Sequence, residues 1–351
     1  GQGARQVGST FKPFIYSAGL AKGMTAATEI NDAPLSLRGM GTGGRLWTPK
    51  NSDGRYAGFI TMRQALTASK NMVSIRILMS IGVNYAQQYI QRFGFKVSDH
   101  PASLSMALGT GLSTPLQMAE GYAVFANGGY KISSYVIDKI YDSEGRLRAQ
   151  MQPLVAGQNA PQVIDPRNAF IMYKMMQDVV RKGTATGANA VGRSDIAGKT
   201  GTTNDNKDAW FVGFNPEVVT AVYIGFDKPL SMGRAGYGGT IALPVWVQYM
   251  RYSLKGTPVK GMPTPKEIVQ RGGEYFLKEQ QTTSSNLALD NRASRPINSN
   301  ESDHQSAAPR ANRDSGDNII EETNVPPINR DRDAPSKPDT GTKNEHLDSL
   351  F

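Results

Sequence analysis

The sequence contains no cysteine and only three histidines, His100, His304 and His346. The first absence excludes disulfides, a thiolate nucleophile and any cysteine-held metal. The histidines lie far apart and none sits at metal-ligand spacing, so the chemistry expected here uses neither a metal, nor a cofactor, nor a histidine base. No run reaches 18 apolar residues and no signal peptide is recognisable, so no segment reads as a membrane-crossing helix. Hydrophobic residues are also scarce, 39% of 351, which is low for a chain packed along its whole length. The charge is divided unevenly. Residues 271–351 carry 10 Lys and Arg against 14 Asp and Glu, a net −4, which leaves +13 of the overall +9 on residues 1–270. Such a body attracts polyanions or carboxylate-bearing substrates. Nucleic acid is disfavoured, because the basic residues are scattered and no nucleic-acid-binding module is present.

What is present divides near residue 270. Beyond it the chain is rich in Ser, Asn, Asp, Arg and Pro with few aromatics, and we expect residues 271–351 to be disordered. Ahead of it, helices and strands alternate. Val7-Gly8-Ser9-Thr10-Phe11-Lys12-Pro13 reads as a turn into a helix that ends near Gly23. Pro13 fits only in a first turn, so the cap is expected at Ser9 or Thr10. Residues 31–58, full of Gly, Asn, Asp and Pro, read as largely irregular. Thr61-Met62-Arg63-Gln64 has capping-box spacing, and Ser69 or Asn71 is the expected cap of the next helix. Further helices are expected over 84–93, 115–126, 168–181 and 245–252. Strands are expected over 136–141, 195–202, 208–214 and 218–226, the last two joined as a hairpin by Asn215-Pro216-Glu217. The methionines of 168–181 read as core filler, and Trp210, Phe211, Tyr223, Trp246 and Tyr249 as core aromatics. The glycine run 233–239 reads as a connection beside the cleft.

Three short signals occur in order: Ser9-Thr10-Phe11-Lys12, Ser69-Lys70-Asn71 and Lys199-Thr200-Gly201-Thr202. Singly each has a plain explanation. Ser9, Ser69 and Asn71 are ordinary helix caps, Lys199 is an ordinary strand charge, and a Ser and a Lys three apart arise by chance about once in such a chain. Together they outline a mechanism. A serine hydroxyl is a weak nucleophile unless a base takes its proton, and Lys12 lies one helical turn from Ser9. A neutral Lys12 can serve if burial or a second cation lowers its pKa, and Lys199 is the candidate cation. The spacing alone supports a serine acyl enzyme and goes no further.

The set resembles penicillin-binding proteins and serine β-lactamases. With Gly109-Thr110-Gly111-Leu112-Ser113-Thr114-Pro115-Leu116, Gly183-Thr184-Ala185, Thr203 after the third motif and Asp208-Ala209-Trp210-Phe211-Val212-Gly213, it resembles the transpeptidase half of class A, bifunctional penicillin-binding proteins over residues 1 to about 255. Asn71 stands where the lactamase pattern has Asp. The resemblance implies an α+β fold of the serine β-lactamase/D,D-peptidase type, an antiparallel sheet with a helical subdomain and the site between them. It implies that Ser9 attacks the bond between two D-alanines of a peptidoglycan stem peptide, and that β-lactam antibiotics take the same place. Ser69 would shuttle the proton, and Asn71 would orient the substrate amide and help hold Lys12. Lys199, Thr200 and Thr202 would clamp the donor carboxylate, with Gly201 letting the strand lie close, and the backbone N–H groups of Ser9 and Thr202 would form the oxyanion hole.

Family members carry a membrane anchor, a glycosyltransferase domain and the first strands of the sheet upstream. With Gly1 in place of an initiator Met, we expect that N-terminal part to be missing here, and with it any link to the membrane. The expected setting is the periplasmic side of the bacterial inner membrane, among cell-wall synthesis proteins. Three rivals remain: water as acceptor, making a D,D-carboxypeptidase or β-lactamase; a non-catalytic penicillin-binding sensor; and a piece whose incomplete sheet aggregates through its edges.

Overall fold

The computed structural model describes residues 3–38 and 46–280, which belong to one compact unit. Its centre is a three-stranded antiparallel sheet of β1 (Ala197–Thr202), β2 (Asp208–Phe214) and β3 (Val219–Gly225), in spatial order β3-β2-β1. Every residue of β2 is buried, as expected of a central strand covered on both faces. Alternation divides its side chains. Phe211 meets Trp246 edge-on at 4.9 Å on one face, while Phe214 reaches Tyr122 and Tyr173 on the other. The register pairs Val212 with Lys199 and Phe211 with Thr200. Lys199 therefore shares the face of Phe214, and Thr200 the face of Trp246.

Seven α-helices surround this sheet among the described residues: α1 (Lys12–Ala21), α2 (Met62–Thr67), α3 (Asn71–Ile81), α4 (Val83–Ile90), α5 (Pro115–Ala126), α6 (Pro166–Lys182) and α7 (Leu243–Ser253). The first nine residues of α1 are all buried, the pattern of a helix packed on every side. Phe14 gathers Phe11, Phe93, Phe95, Tyr122 and Phe125 at centroid distances of 4.7–5.5 Å. The polar Ser17 is tolerated in that setting because it bonds Asn168 at 2.7 Å and Tyr89 at 2.9 Å. Met172, Met175 and Met176 of α6 are core residues, as their spacing predicts. Thr61 and Thr114 close capping boxes on Gln64 and Gln117, each a stabilisation of about 1 kcal/mol.

Three expectations need correction. The helix at the first motif opens as a 3-10 turn, Gly8–Phe11, and neither Ser9 nor Thr10 caps α1 through its side chain; Thr10 instead donates to Val7 O at 2.6 Å. The stretch 31–58 is largely irregular among its described residues, as expected, and takes part in two short ladders, Glu29–Asp32 with Gly58–Thr61 and Leu37–Arg38 with Leu46–Trp47; residues 39–45 lie outside the described residues. Tyr249 is 52% exposed, because α7 buries the stripe Leu243, Trp246, Val247 and Met250 and turns 249 outward. The disorder expected from 271 does not hold at its start. Ile268–Arg271 and Glu274–Leu277 form a hairpin tied to the body by Glu274 on Arg63, at 2.6 Å to Nε, and by Tyr275 edge-on to Phe170. The rest of that tail, 281–351, lies outside the described residues.

His100 is buried under the first motif, stacked on Phe11 at 4.5 Å, and neither ring nitrogen has a hydrogen-bond partner among the described residues. Burial pushes its pKa down from 6.5 to about 4, against a smaller opposing pull from Asp99. The ring is thus neutral when folded and gains its proton more readily when unfolded. The stability it permits is complete above about pH 6.5 and is lost as pH falls through 4. Replacing His100 with Phe keeps the stack and removes the titration. The drop in melting temperature between pH 7 and pH 4 should shrink by several degrees in His100→Phe, and an unchanged drop would refute this account.

Candidate active site

The three motifs, separated by 60 and 130 residues in the sequence, meet at one point. Ser9 lies half-buried in the 3-10 turn that leads directly into α1, at the end where backbone N–H groups are unpaired. Its hydroxyl makes no hydrogen bond among the described residues. Lys12, the first residue of α1, is fully buried. Its amine donates to Asn71 Oδ1 at 2.7 Å, to Ser69 O at 2.8 Å and to Ser69 Oγ at 3.2 Å. Lys199, on the β1 face that looks at the helices, is also fully buried and donates to Ser69 Oγ at 2.9 Å and Thr200 O at 3.1 Å.

Two ammonium groups on one hydroxyl can be no more than about 6 Å apart, where like charges repel by about 3 kcal/mol at an effective dielectric near 20. No carboxylate forms an ion pair with either lysine among the described residues. Burial is therefore uncompensated, and both pKa values fall. Lys12 drops well below its ordinary value through desolvation first and the charge of Lys199 second, partly opposed by Asp32. Burial takes Lys199 to about 7. One uncharged amine beside one ammonium, joined through a serine hydroxyl, is an arrangement that can accept a proton at one end and stabilise negative charge at the other.

Ser69 is held in the left-handed region, φ +56°. A serine there is strained, and such strain persists only where the surroundings impose it. The conformation turns both its carbonyl and its hydroxyl to Lys12. For that reason Ser69 is not free to cap α3, and neither is Asn71, whose side chain is spent on Lys12 and on Lys50 O at 2.8 Å. The expected cap is supplied instead by Asn51, whose Oδ1 accepts the N–H groups of Asn71 at 2.8 Å and Met72 at 3.2 Å. Sequence reasoning missed Asn51, since nothing local marks a residue 20 positions upstream as a cap.

The remaining predicted residues line β1. Thr200 Oγ1 lies 2.7 Å from Thr184 Oγ1, which brings Gly183-Thr184-Ala185 to the site. Thr202 Oγ1 accepts Gly238 N at 3.1 Å, so the glycine run does border it. Lys199 and Thr200 lie on opposite faces of β1, and they can act on one group only around its outer edge. Gly201 is needed for a nearer reason than substrate approach. A Cβ there would stand 2.6 Å from Val7 O and 2.8 Å from Thr10 Cγ2, because the nucleophile turn packs directly on the strand. Gly8, at φ +53°, makes the same contact from the other side, where a Cβ would meet Thr202 O at 2.7 Å.

Comparison with known proteins agrees with this geometry. The family model described as the penicillin binding protein transpeptidase domain matches residues 2–251. Penicillin-binding protein 1A of Neisseria cinerea is 68% identical over 352 aligned residues, covering all of this chain and 43% of that protein. The chain thus spans less than half the length of this relative. Among solved structures, penicillin-binding protein 1A from Haemophilus influenzae superposes with a TM-score of 0.76 at 35% identity, over 80% of this chain and 49% of that one. The PonA1 protein of Mycobacterium tuberculosis in complex with penicillin V gives 0.63 at 26% identity, over 76% and 73%.

Replacing Gly201 with Ala tests the packing of turn on strand. The Cβ must push the Ser9 turn away, and since an overpacked core contact costs about 1–3 kcal/mol, both the melting temperature and the rate of covalent acylation should fall. A Gly201→Ala protein with both unchanged would contradict the contact.

Proposed function

Since the chain belongs to the penicillin-binding protein transpeptidase family, we propose that it forms a serine acyl-enzyme at D-Ala-D-Ala and cross-links peptidoglycan stem peptides. The observation that carries this reading is the pair of buried lysines converging on Ser69 beside the Ser9 turn. Neutral Lys12 removes the Ser9 proton as Oγ attacks the carbonyl between the two D-alanines. Backbone N–H groups of Ser9 and Thr202 receive the developing oxyanion. The proton then passes from Lys12 through the Ser69 hydroxyl to the departing amide nitrogen, and the terminal D-Ala leaves as the C–N bond breaks. The amine of a neighbouring stem peptide attacks the ester, forms the cross-link and frees Ser9.

Each remaining group has a part in that sequence. Lys199 and the hydroxyls of Thr200 and Thr202 would hold the donor carboxylate around the outer edge of β1, with Gly201 keeping the strand tight against the nucleophile turn. Asn71 holds Lys12 through Oδ1 and orients the substrate amide. A β-lactam would open its ring on Ser9 in place of losing D-Ala. The absence of a carboxylate pairing with Lys12 or Lys199 among the described residues favours slow loss of that adduct over lactamase turnover. Retention of Ser9, with Lys12 and Lys199 joined through Ser69 beside it, favours a working site over an inert sensor. We place the domain on the periplasmic side of the bacterial inner membrane among cell-wall synthesis proteins, and the full-length protein, as a class A member, would also act as a glycosyltransferase.

Intact-protein mass spectrometry with benzylpenicillin tests the nucleophile. The wild type should gain one drug mass and Ser9→Ala none; an adduct that survives in Ser9→Ala would sink the assignment. Loss of the base in Lys12→Met should slow acylation by roughly 10²–10⁴-fold. The pH profile tests the role of Lys199 as the second cation. Acylation needs neutral Lys12, so its rate falls as pH drops through the Lys12 pKa. Removing the charge in Lys199→Gln lets Lys12 hold its proton more tightly, and the acid limb should move to higher pH. A limb that stays in place, or moves down, would show that the two amines do not feel each other.

A further inference from the structure

Behind the motifs lies a buried polar group that the mechanism above does not use. Asp32 is fully buried on the strand Glu29–Asp32, and Asn51 is almost fully buried on the loop that follows. Asp32 Oδ1 accepts Asn51 Nδ2 at 2.7 Å, and Arg55 O takes the same amide at 2.8 Å. Both acceptors force the orientation of the Asn51 amide, because an amide nitrogen can only donate. Its oxygen is thereby aimed at the N-terminus of α3, where it takes the N–H groups of Asn71 and Met72. The neighbouring carbonyl, Lys50 O, then takes Asn71 Nδ2, which leaves Asn71 Oδ1 as the atom that faces Lys12 at 2.7 Å.

We propose that Asp32 and Asn51 are positioning residues for acyl transfer, setting through Asn71 where the Lys12 amine stands relative to Ser9. The inference rests on the reading of Lys12 as base. Asp32 adds a second influence through its charge, being the carboxylate that raises the Lys12 pKa against desolvation and Lys199. The groups facing Lys12 are Ser69 and Asn71 at the start of α3, Lys199 on β1 and Asp32 on its strand. Asp32 is in turn faced by Lys70 at 3.5 Å and accepts Ala57 N at 3.0 Å, while Lys70 also pairs with Asp53 at 2.8 Å. Tyr16 and Arg76 feel the same carboxylate. The middle residue of the second motif, Lys70, thus pairs with the buried carboxylate while its neighbours Ser69 and Asn71 hold the base.

The test follows the rate constant of benzylpenicillin acylation at saturating drug, per acylating site, so that any misfolded fraction drops out. In Asp32→Asn the loss of negative charge should release the Lys12 proton more easily and move the acid limb to lower pH, a shift that a merely structural residue would not produce. In Asn51→Ala the amide relay is cut while the Asp32–Lys70 pair stays, and displacement of Lys12 should slow acylation by roughly tenfold to a hundredfold. An Asp32→Asn limb that coincides with the wild type overturns the electrostatic half. A wild-type rate in Asn51→Ala overturns the positional half, and it does so even if Asp32→Asn fails to fold. A Lys12→Met protein that acylates at the wild-type rate would instead overturn the base assignment beneath both, which separates the two failures.

Discussion

The structure turns on the cost of placing two lysine amines out of water beside a single hydroxyl. Neither has a carboxylate ion-pair partner among the described residues; burial makes both hard to keep charged, and the charge of Lys199 adds to that at Lys12. Every nearby element is arranged around that problem. The first turn of α1 is buried to bring Lys12 inward, β1 is pressed onto the Ser9 turn to bring Lys199 opposite, and Ser69 adopts a left-handed backbone so that its carbonyl and hydroxyl can both accept hydrogen bonds from the amines. A chain selected for stability alone would place apolar side chains at 12 and 199. The cost is offset by the core around Phe14 and by the wholly buried strand β2, which fix the two amines where a flexible site would let them separate.

How much of this the sequence discloses depends on the range of the signal. Features set within one turn of chain are legible: the capping boxes at Thr61 and Thr114, the stop before Gly94 of the helical stretch expected over 84–93, the hairpin around Asn215-Pro216-Glu217 and the Met-rich face of α6. The three motifs are legible as a set, and the structure brings their Lys12, Ser69, Asn71 and Lys199 into one hydrogen-bonded group. Groups recruited across the fold are not legible. Asn51 caps a helix 20 residues away, and His100 has no motif at all although it supports Phe11. No periodicity encodes such meetings, since they depend on loops whose composition specifies only that they are loops.

The errors have the same origin. Ser69 and Asn71 are good cap residues by propensity, yet their side chains are taken by the lysines, and a distant residue fills the vacancy. Tyr249 has the chemistry of a core aromatic but lies a third of a turn off the buried stripe of α7. The hairpin ending at Leu277 belongs to a stretch whose composition is polar, yet Glu274 on Arg63, Tyr275 on Phe170 and the packing of Ile268 and Leu277 on the core fasten it to the body.

The contact between the Ser9 turn and β1 is close because Gly8 and Gly201 carry no Cβ, so that main chain and the Thr10 methyl lie against the strand. The separation of the Ser9 turn and the strand is therefore set by two glycines, and any larger residue at either position has to widen it. Side chains that tune the site without moving its main chain have to lie elsewhere, in the loop that carries Asn51 and in the residues bordering Thr202. The innermost geometry is the part of the molecule with the least freedom to drift.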